Sequence, residues 1–530
     1  MKNRKLIWIA LFATLVFAVQ SSYAQKDPAH QNGIKFNDKG DEIILEHEFR
    51  GAWVTTVNAT DWPKNKVILE KISPNESKRA MRKRIAAQID SQKTALVEMF
   101  TKLKECGINA IMFHTVSNSD AMYPSKLLPW AIYLTGKQGQ DPGYDPLAFA
   151  IETAHSLDME IHAWLNPFRI GWVENERTPE HPCFKYPDRV QTIGEKKPSM
   201  YWNPAHPDVV DYLGDLCTEL MTNYDLDGIH IDDYFYPSGL RGGSVTDWND
   251  AEYYEAYVKK GGDMSLERWR EENVNEVIRV MYDAVHKASP DAIFSVSPGG
   301  RLVNTQSLYA DPQYWIKEGT IDFLSPQIYW QHGHKIADFK MVLDSWKDIM
   351  KDIPCVPGLA AYRWGEKDAF ESLEEYDLQI KECREAKDYV WGNIWFTTGS
   401  ILKPEFAQHM KETFYKYPSL TPNFRADRTA KKVAAPSLRA GNGTISWATD
   451  RKVDKYAVYE LEVVNYTRER RNQTAKTTWR ANLVQVVHTW DADGKNSNFY
   501  YPATPGKNYG VIAIKGKDYS PLSNIVYAEE

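Results

Sequence analysis

Two adjacent carboxylates followed by three aromatics and a proline mark the part of this chain best equipped for chemistry. Residues 227–237 read Asp-Gly-Ile-His-Ile-Asp-Asp-Tyr-Phe-Tyr-Pro, and the alternation up to Asp232 predicts a short buried strand that ends on Asp232 and Asp233. Paired acids beside aromatic rings suit glycoside hydrolysis. One protonates the leaving oxygen, the other stabilises or attacks an oxocarbenium-like carbon, and the rings receive the apolar face of a pyranose. Neighbours on a strand point to opposite faces, whereas catalytic carboxyl pairs flank the scissile bond about 5–5.5 Å or 6.5–9.5 Å apart. Two arrangements resolve the conflict. In one, the strand has ended, both acids turn into the pocket, and the substrate's own N-acetyl group is the nucleophile. In the other, a partner comes from a different loop, with Asp120 the first choice.

Such acids need a scaffold that points strand ends at one place. Strand-like runs at 50–57, 108–115, 160–167, 228–232, 292–298, 323–330, 355–362 and 392–398 alternate with helical stretches, among them 76–105, 145–159, 208–224 and 266–287. About eight strand-then-helix units over roughly 370 residues predict a (β/α)8 TIM barrel, in which chemistry sits at the C-terminal strand ends. A doubly wound open sheet would carry a glycine-rich phosphate turn after its first strand, and none follows Val57.

Alternate residues of a barrel strand face inward. With Asp232 inward, His230 shares its face, and the matching polar positions elsewhere are His114, His162, Asn166, Ser297, Gln327, Tyr329, Tyr362 and Thr397. The catalytic candidates are therefore Asp232, Asp233 and Asp120. The substrate-binding candidates are Trp53, His114, His162, Asn166, Arg169, His230, Tyr234, Gln327, Tyr329 and Tyr362. Each has a plainer reading: an inward histidine is commonly a hydrogen-bonded core residue, Asp120 suits a turn, and Asp145 before Pro146 suits a helix cap.

The 530 residues are 43% hydrophobic and 25% charged, an ordinary globular composition long enough for a barrel and an appendage. With 64 basic and 71 acidic residues, a net charge of −7 and no basic block, nucleic acid is not an expected partner. The 18 Trp and 30 Tyr fit either large cores or sugar-stacking surfaces. Lys2, Arg4 and Lys5 before an apolar run from Leu6 to Val19, then Ser22-Tyr23-Ala24, read as a secretory signal peptide (1–24) cut before Gln25. Export to the periplasm or beyond is the expectation, with no membrane span after cleavage. Five scattered cysteines argue against a disulfide scaffold, and with no CxxC or His/Cys ligand spacing a structural zinc site has no support; no metal and no cofactor is expected. Residues 25–48 read as a flexible lead-in and 421–435 as a Pro-, Arg- and Lys-rich linker. Short strands at 444–447, 455–459, 509–514 and 523–527 predict a small β-sandwich over 436–530.

Several motifs in order carry a family likeness: Phe-Arg-Gly-Ala-Trp-Val at 49–54, Asp-Ala-Met-Tyr-Pro-Ser at 120–125, Gly-Tyr-Asp-Pro-Leu at 143–147, His-Ala-Trp-Leu-Asn-Pro-Phe-Arg at 162–169, and the 227–237 stretch. Together they resemble the glycosyl-hydrolase-10-like family of exported bacterial barrels over about residues 48–420. The resemblance implies a glycosidase barrel (49–420) and, since members cut peptidoglycan glycan strands, an N-acetylated sugar polymer as substrate. Family-10-type xylanases place glutamates near the fourth and seventh strands. Here Asp232, Asp233 and Tyr362-Arg-Trp364 stand there, so the resemblance does not extend to a two-glutamate mechanism. The sandwich resembles a fibronectin type III module through Trp447, Tyr509 and the closing strand. Two other classes are a carbohydrate-binding envelope scaffold without turnover and a metal amidohydrolase; the paired HxH spacing of the latter is missing after the first strand.

Overall fold

The computed structural model describes residues 33–36, 41–350, 353–425, 432–450, 452–467, 476–489 and 498–529. The signal-peptide reading falls outside them, as does the middle of the linker. The described residues divide into two compact units, His47–Phe424 and a second one that joins those before His47 to those from Arg425 onward.

The larger unit is a (β/α)8 barrel. Its staves are β1 (Phe49–Val54), β2 (Ala110–Val116), β3 (Glu160–Leu165), β4 (Gly228–Asp232), β5 (Ile293–Ser297), β6 in two short pieces (Phe323–Leu324 and Gln327–Ile328), β7 (Gly358–Leu359) and β8 (Gly392–Trp395). Every pairing is parallel, and β8 pairs with β1. Parallel bridges Gly299↔Gln327 and Leu324↔Cys355 carry the ladder across the broken β6, so the sheet curls closed.

A helix follows each stave: α1 (Lys78–Glu105), α2 (Pro146–Ser156), α3 (Pro207–Asn223), α4 (Leu266–Ala288), α5 (Pro312–Glu318), α6 (Phe339–Lys347), α7 (Glu374–Glu385) and α8 (Pro404–Glu412). Their starts follow local chemistry. Ser77 caps α1 through Ala80 N–H, and Asp145 caps α2 by accepting from Ala148 N–H at 3.0 Å with Pro146 at the first helical position. On α3 the apolar stripe Val209, Leu213, Leu216, Leu220 is buried, the spacing of a helix face laid on a sheet.

Inside the staves the inward positions change character from one end to the other. At the amino-terminal end Phe49, Phe323 and Phe424 meet with ring centroids 4.7–5.5 Å apart, and Phe49 packs edge-on to His162. Met112, Ile293, Val356 and Ile394 complete this apolar plug. Above it the inward residues become polar. The five cysteines are free and buried, away from any disulfide. Among the described residues no helix is long and apolar enough to cross a membrane.

The smaller unit corrects two expectations. Residues 33–36 and 42–45, expected to be a flexible lead-in, are strands, and Glu42–Leu45 pairs in parallel with Lys476–His488. Ile43 and Leu45 are buried there, a partnership made more than four hundred residues along the chain and invisible to local periodicity. Thr444–Ala448 and Asn508–Lys515 stand where short strands were expected, whereas Lys455–Thr467 runs well past the expected 455–459 and its long partner Lys476–His488 was not expected. The two long strands belong to a seven-stranded sheet; a second sheet of Arg439–Gly441, Thr444–Ala448 and Asn498–Pro502 supplies Trp447 and Phe499, stacked 5.0 Å apart, to the same core.

Candidate active site

At the carboxyl end of the barrel, side chains from seven staves or the turns after them meet around a cavity of about 200 Å3. It is lined by Trp53, Thr55, Val57, His114, Trp164, Arg169, Asp232, Asp233, Tyr234, Ser297, Gln327, Tyr329 and Phe396. β4 stops at Asp232, whose ladder partner is Ser297, and Phe235 N–H then closes onto the Asp233 carbonyl at 3.0 Å. The turn ends the alternation of the strand, so Asp232 and Asp233 line the same cavity instead of opposite faces.

The two carboxyls are held differently. Asp232 Oδ2 accepts from Asn166 Nδ2 at 2.5 Å, while Oδ1 is buried without a close hydrogen bond among the described residues, the Trp164 side chain acting on the carboxyl only as a weak donor. Asn166 is itself fixed: its Oδ1 accepts from His114 Nε2 at 2.8 Å and from Arg169 Nη2. A guanidinium can only donate, so the amide must turn its oxygen to Arg169 and its NH2 group to Asp232. His114 must then carry its proton on Nε2, an assignment made by the network. Burial and the nearby Arg169 charge hold His114 well below the ordinary imidazole range, which keeps it neutral. Its ring stacks on Trp164 at 3.8 Å.

Burial pushes the Asp232 carboxyl up to about 7, Arg169 opposes it, and the neighbouring Asp233 charge adds to the rise. Asp233 is raised by burial as well, against a hydrogen bond from Gln327 Nε2 at 3.2 Å. Adjacent acids of this kind resist ionising together, so the pair retains a proton near neutrality. Arg169 lies 4.4 Å over the Tyr234 ring and donates from Nε to the Ser117 carbonyl at 3.1 Å. Below, Trp53 Nε1 donates to His230 Nε2 at 3.1 Å, and His230 Nδ1 in turn donates to Ser295 Oγ at 2.8 Å. Burial and His162 lower His230 to about 3, so it stays neutral. Gly358 makes room for the Trp53 indole, since a Cβ there would lie 2.8 Å from that ring.

A profile of the glycosyl hydrolase-like 10 family matches residues 48–372. The chain belongs to this family. It is 32% identical over 413 residues to the glycosyl hydrolase YngK of Bacillus subtilis (strain 168), covering 73% of this chain and 76% of that one. To the glycosyl hydrolase DigH of Escherichia coli (strain K12) it is 30% identical over 394 residues, 68% of this chain and 85% of the relative. Among solved structures, the catalytic domain of β-amylase from Paenibacillus polymyxa aligns with a TM-score of 0.45 at 10% identity, over 70% of this chain and 99% of that one. As a member of the glycosyl hydrolase-like 10 family the protein is a glycosidase, and its substrate is a carbohydrate.

Of the residues singled out from sequence, this glycosidase gathers Asp232, Asp233, Trp53, His114, Arg169, Tyr234, Gln327 and Tyr329 around the cavity, with Asn166 behind Asp232. Others lie elsewhere. Asp120, the expected partner from another loop, is buried away from the cavity lining, where it accepts from Ser117 Oγ at 3.3 Å and Gln138 Nε2 at 3.1 Å and ties its loop together. His162 sits in the plug at the amino-terminal end, with Nε2 3.2 Å from Glu160 Oε2. His230 is one layer beneath the cavity, under Trp53. Tyr362 borders Tyr329 from outside the lining. Thr397, expected inward, yields to Phe396, because Ile394 faces the barrel interior and period 2 then selects the even-numbered residues. Trp164, Thr55 and Val57 went unnoticed as lining. Trp164 lies between His162 and Asn166 in the same parity, and Thr55 and Val57 continue that of Trp53, so the alternation already contained the signal.

Proposed function

We propose that the protein hydrolyses glycosidic bonds in an extracytoplasmic, N-acetylated glycan such as peptidoglycan strands, with Asp232 as general acid and Asp233 as the carboxylate that holds the acetamide. The observation that carries this reading is the asymmetric pair: two adjacent acids in one cavity, one of them pushed up to about 7 with one oxygen making no close hydrogen bond among the described residues. Neighbours at the end of one stave approach the sugar from one side. A pair that must flank the anomeric carbon comes from separate elements, so a substrate that brings its own nucleophile fits better.

Asp232 Oδ1–H would give its proton to the glycosidic oxygen as the C1–O bond breaks. The acetamide carbonyl oxygen would close on C1, with its N–H donated to Asp233. Water would then attack C1 and lose a proton to Asp232 as the bond from C1 to the acetamide oxygen breaks, which frees the acetamide, gives a product of retained configuration and restores the acid. Asn166, itself held by Arg169, occupies one carboxylate oxygen and leaves the other to carry the proton.

Purified peptidoglycan strands, with and without stem peptides, are the test substrate. New reducing ends should appear with the native protein and fall sharply with Asp232→Asn and with Asp233→Asn; native activity in both variants would overturn the assignment. Export is supported by the basic, apolar and small-residue pattern of residues 1–24. Mass measurement of protein recovered outside the cytoplasm should find an amino terminus at Gln25. The carboxy-terminal strands, read as a fibronectin type III-like module, would serve as a spacer or glycan-binding unit.

A further inference from the structure

We infer that Tyr362 is an outer sugar-binding platform, so that the substrate is a chain of several sugars running out of the cavity across this ring, not a single terminal residue. The inference rests on the glycosidase reading above. The cavity, about 200 Å3, falls below the roughly 300–1,000 Å3 of pockets that enclose a whole ligand. Sugars beyond the first must therefore lie on whatever the mouth of the cavity presents.

What it presents is an aromatic wall that continues outward. Tyr329 and Phe396 line the cavity and stack with ring planes 13° apart. Tyr362 meets both nearly edge-on, at 5.9 Å and 5.8 Å between centroids, and is itself 44% exposed. An exposed tyrosine without a docked partner would ordinarily sit on a loop free to move. This one is anchored from both sides. Its N–H donates to the Phe396 carbonyl at 3.1 Å. The next residue, Arg363, donates to the Tyr329 carbonyl at 3.0 Å, to Asp368 at 2.9 Å and to Glu366 at 2.7 Å, with its guanidinium 4.5 Å over Phe370. The backbone that carries the ring is fixed and the ring packs edge-on against two neighbours before any ligand arrives, which lowers the ordering cost of binding, and a flat face with a polar tip suits the apolar face and hydroxyl rim of a pyranose.

The test measures binding by calorimetry in an Asp232→Asn background, using N-acetylglucosamine oligomers of two and six units, with Tyr362 intact, Tyr362→Ala and Tyr362→Phe. Tyr362→Ala should weaken the six-unit oligomer about tenfold and the two-unit oligomer by clearly less, with Tyr362→Phe restoring most of the loss. Equal weakening of both lengths, no weakening of either, or no binding of the six-unit oligomer with Tyr362 intact would overturn the platform. Reducing-end release by the native protein and Asp232→Asn is read separately. Failure of the catalytic assignment there leaves the length dependence of binding to decide this inference by itself.

Discussion

The two ends of the barrel interior share the same eight staves and the same inward parity, with Phe424 added from the segment after α8 at one end, yet one is a plug and the other a bowl. At the amino end, Phe49, Phe323 and Phe424 close ring against ring, with Phe49 edge-on to His162. At the carboxyl end, the inward positions carry His114, Asn166, Asp232, Ser297 and Gln327, and they enclose space. His162 and His114, on neighbouring staves and both fully buried, show the contrast in one residue type: the first fills the plug, the second fixes the amide that holds an acid. A barrel needs one end to hold it together and leaves the other free for polar groups whose desolvation costs stability.

Substitutions at the two ends should therefore separate folding from turnover. The largest effect is expected from Asp232→Asn, with turnover down by at least about 10²–10⁴-fold, the contribution of a positioned general acid, while the variant remains folded by circular dichroism. Next, Phe323→Ala in the plug should cost about 3–5 kcal/mol in denaturant unfolding with turnover per folded molecule retained. Loss of turnover from the plug variant, or of the fold from the acid variant, would break the contrast.

The pH dependence sharpens it. Asp232 must be protonated to act as acid, so kcat/KM should fall as pH rises through about 7. Its folded pKa lies above the ordinary value of 3.8, so the folded state binds the extra proton between the two, and stability declines as pH rises through that window. Melting curves of Asp232→Asn against the native protein should diverge in favour of the variant between pH 4 and 7. A constant difference would argue against a buried proton. The smallest effect belongs to Asp120→Asn, which should lose about 1 kcal/mol of stability from weakened loop hydrogen bonds and little turnover. A large catalytic loss would return Asp120 to the candidates for the reaction.

Much of the site was legible because a barrel converts sequence parity into direction. Once Asp232 was set inward, alternation placed His114, Ser297, Gln327 and Tyr329 at the cavity with no further information. The same rule misplaced Thr397, where a single-residue error in setting the parity of β8 turned the expected polar lining into Phe396. Depth was harder to read than direction. His162, His230 and Asp232 all point inward, but only the height of each along its stave decides whether it meets a phenylalanine, an indole or open space.

The sequence by itself determined the strand-and-helix alternation, the inward parity and the acidic pair at the end of β4, because hydrophobic period and turn residues act over a few positions. Tertiary structure alone decided that Asp233 turns to the side of Asp232, that Asp120 ties a loop, that Asn166 offers its amide N–H to one acid oxygen, and that residues 42–45 pair with 478–481. Those outcomes depend on which distant groups compete for the same buried donor, acceptor or strand edge, and that competition exists only once the chain has closed on itself.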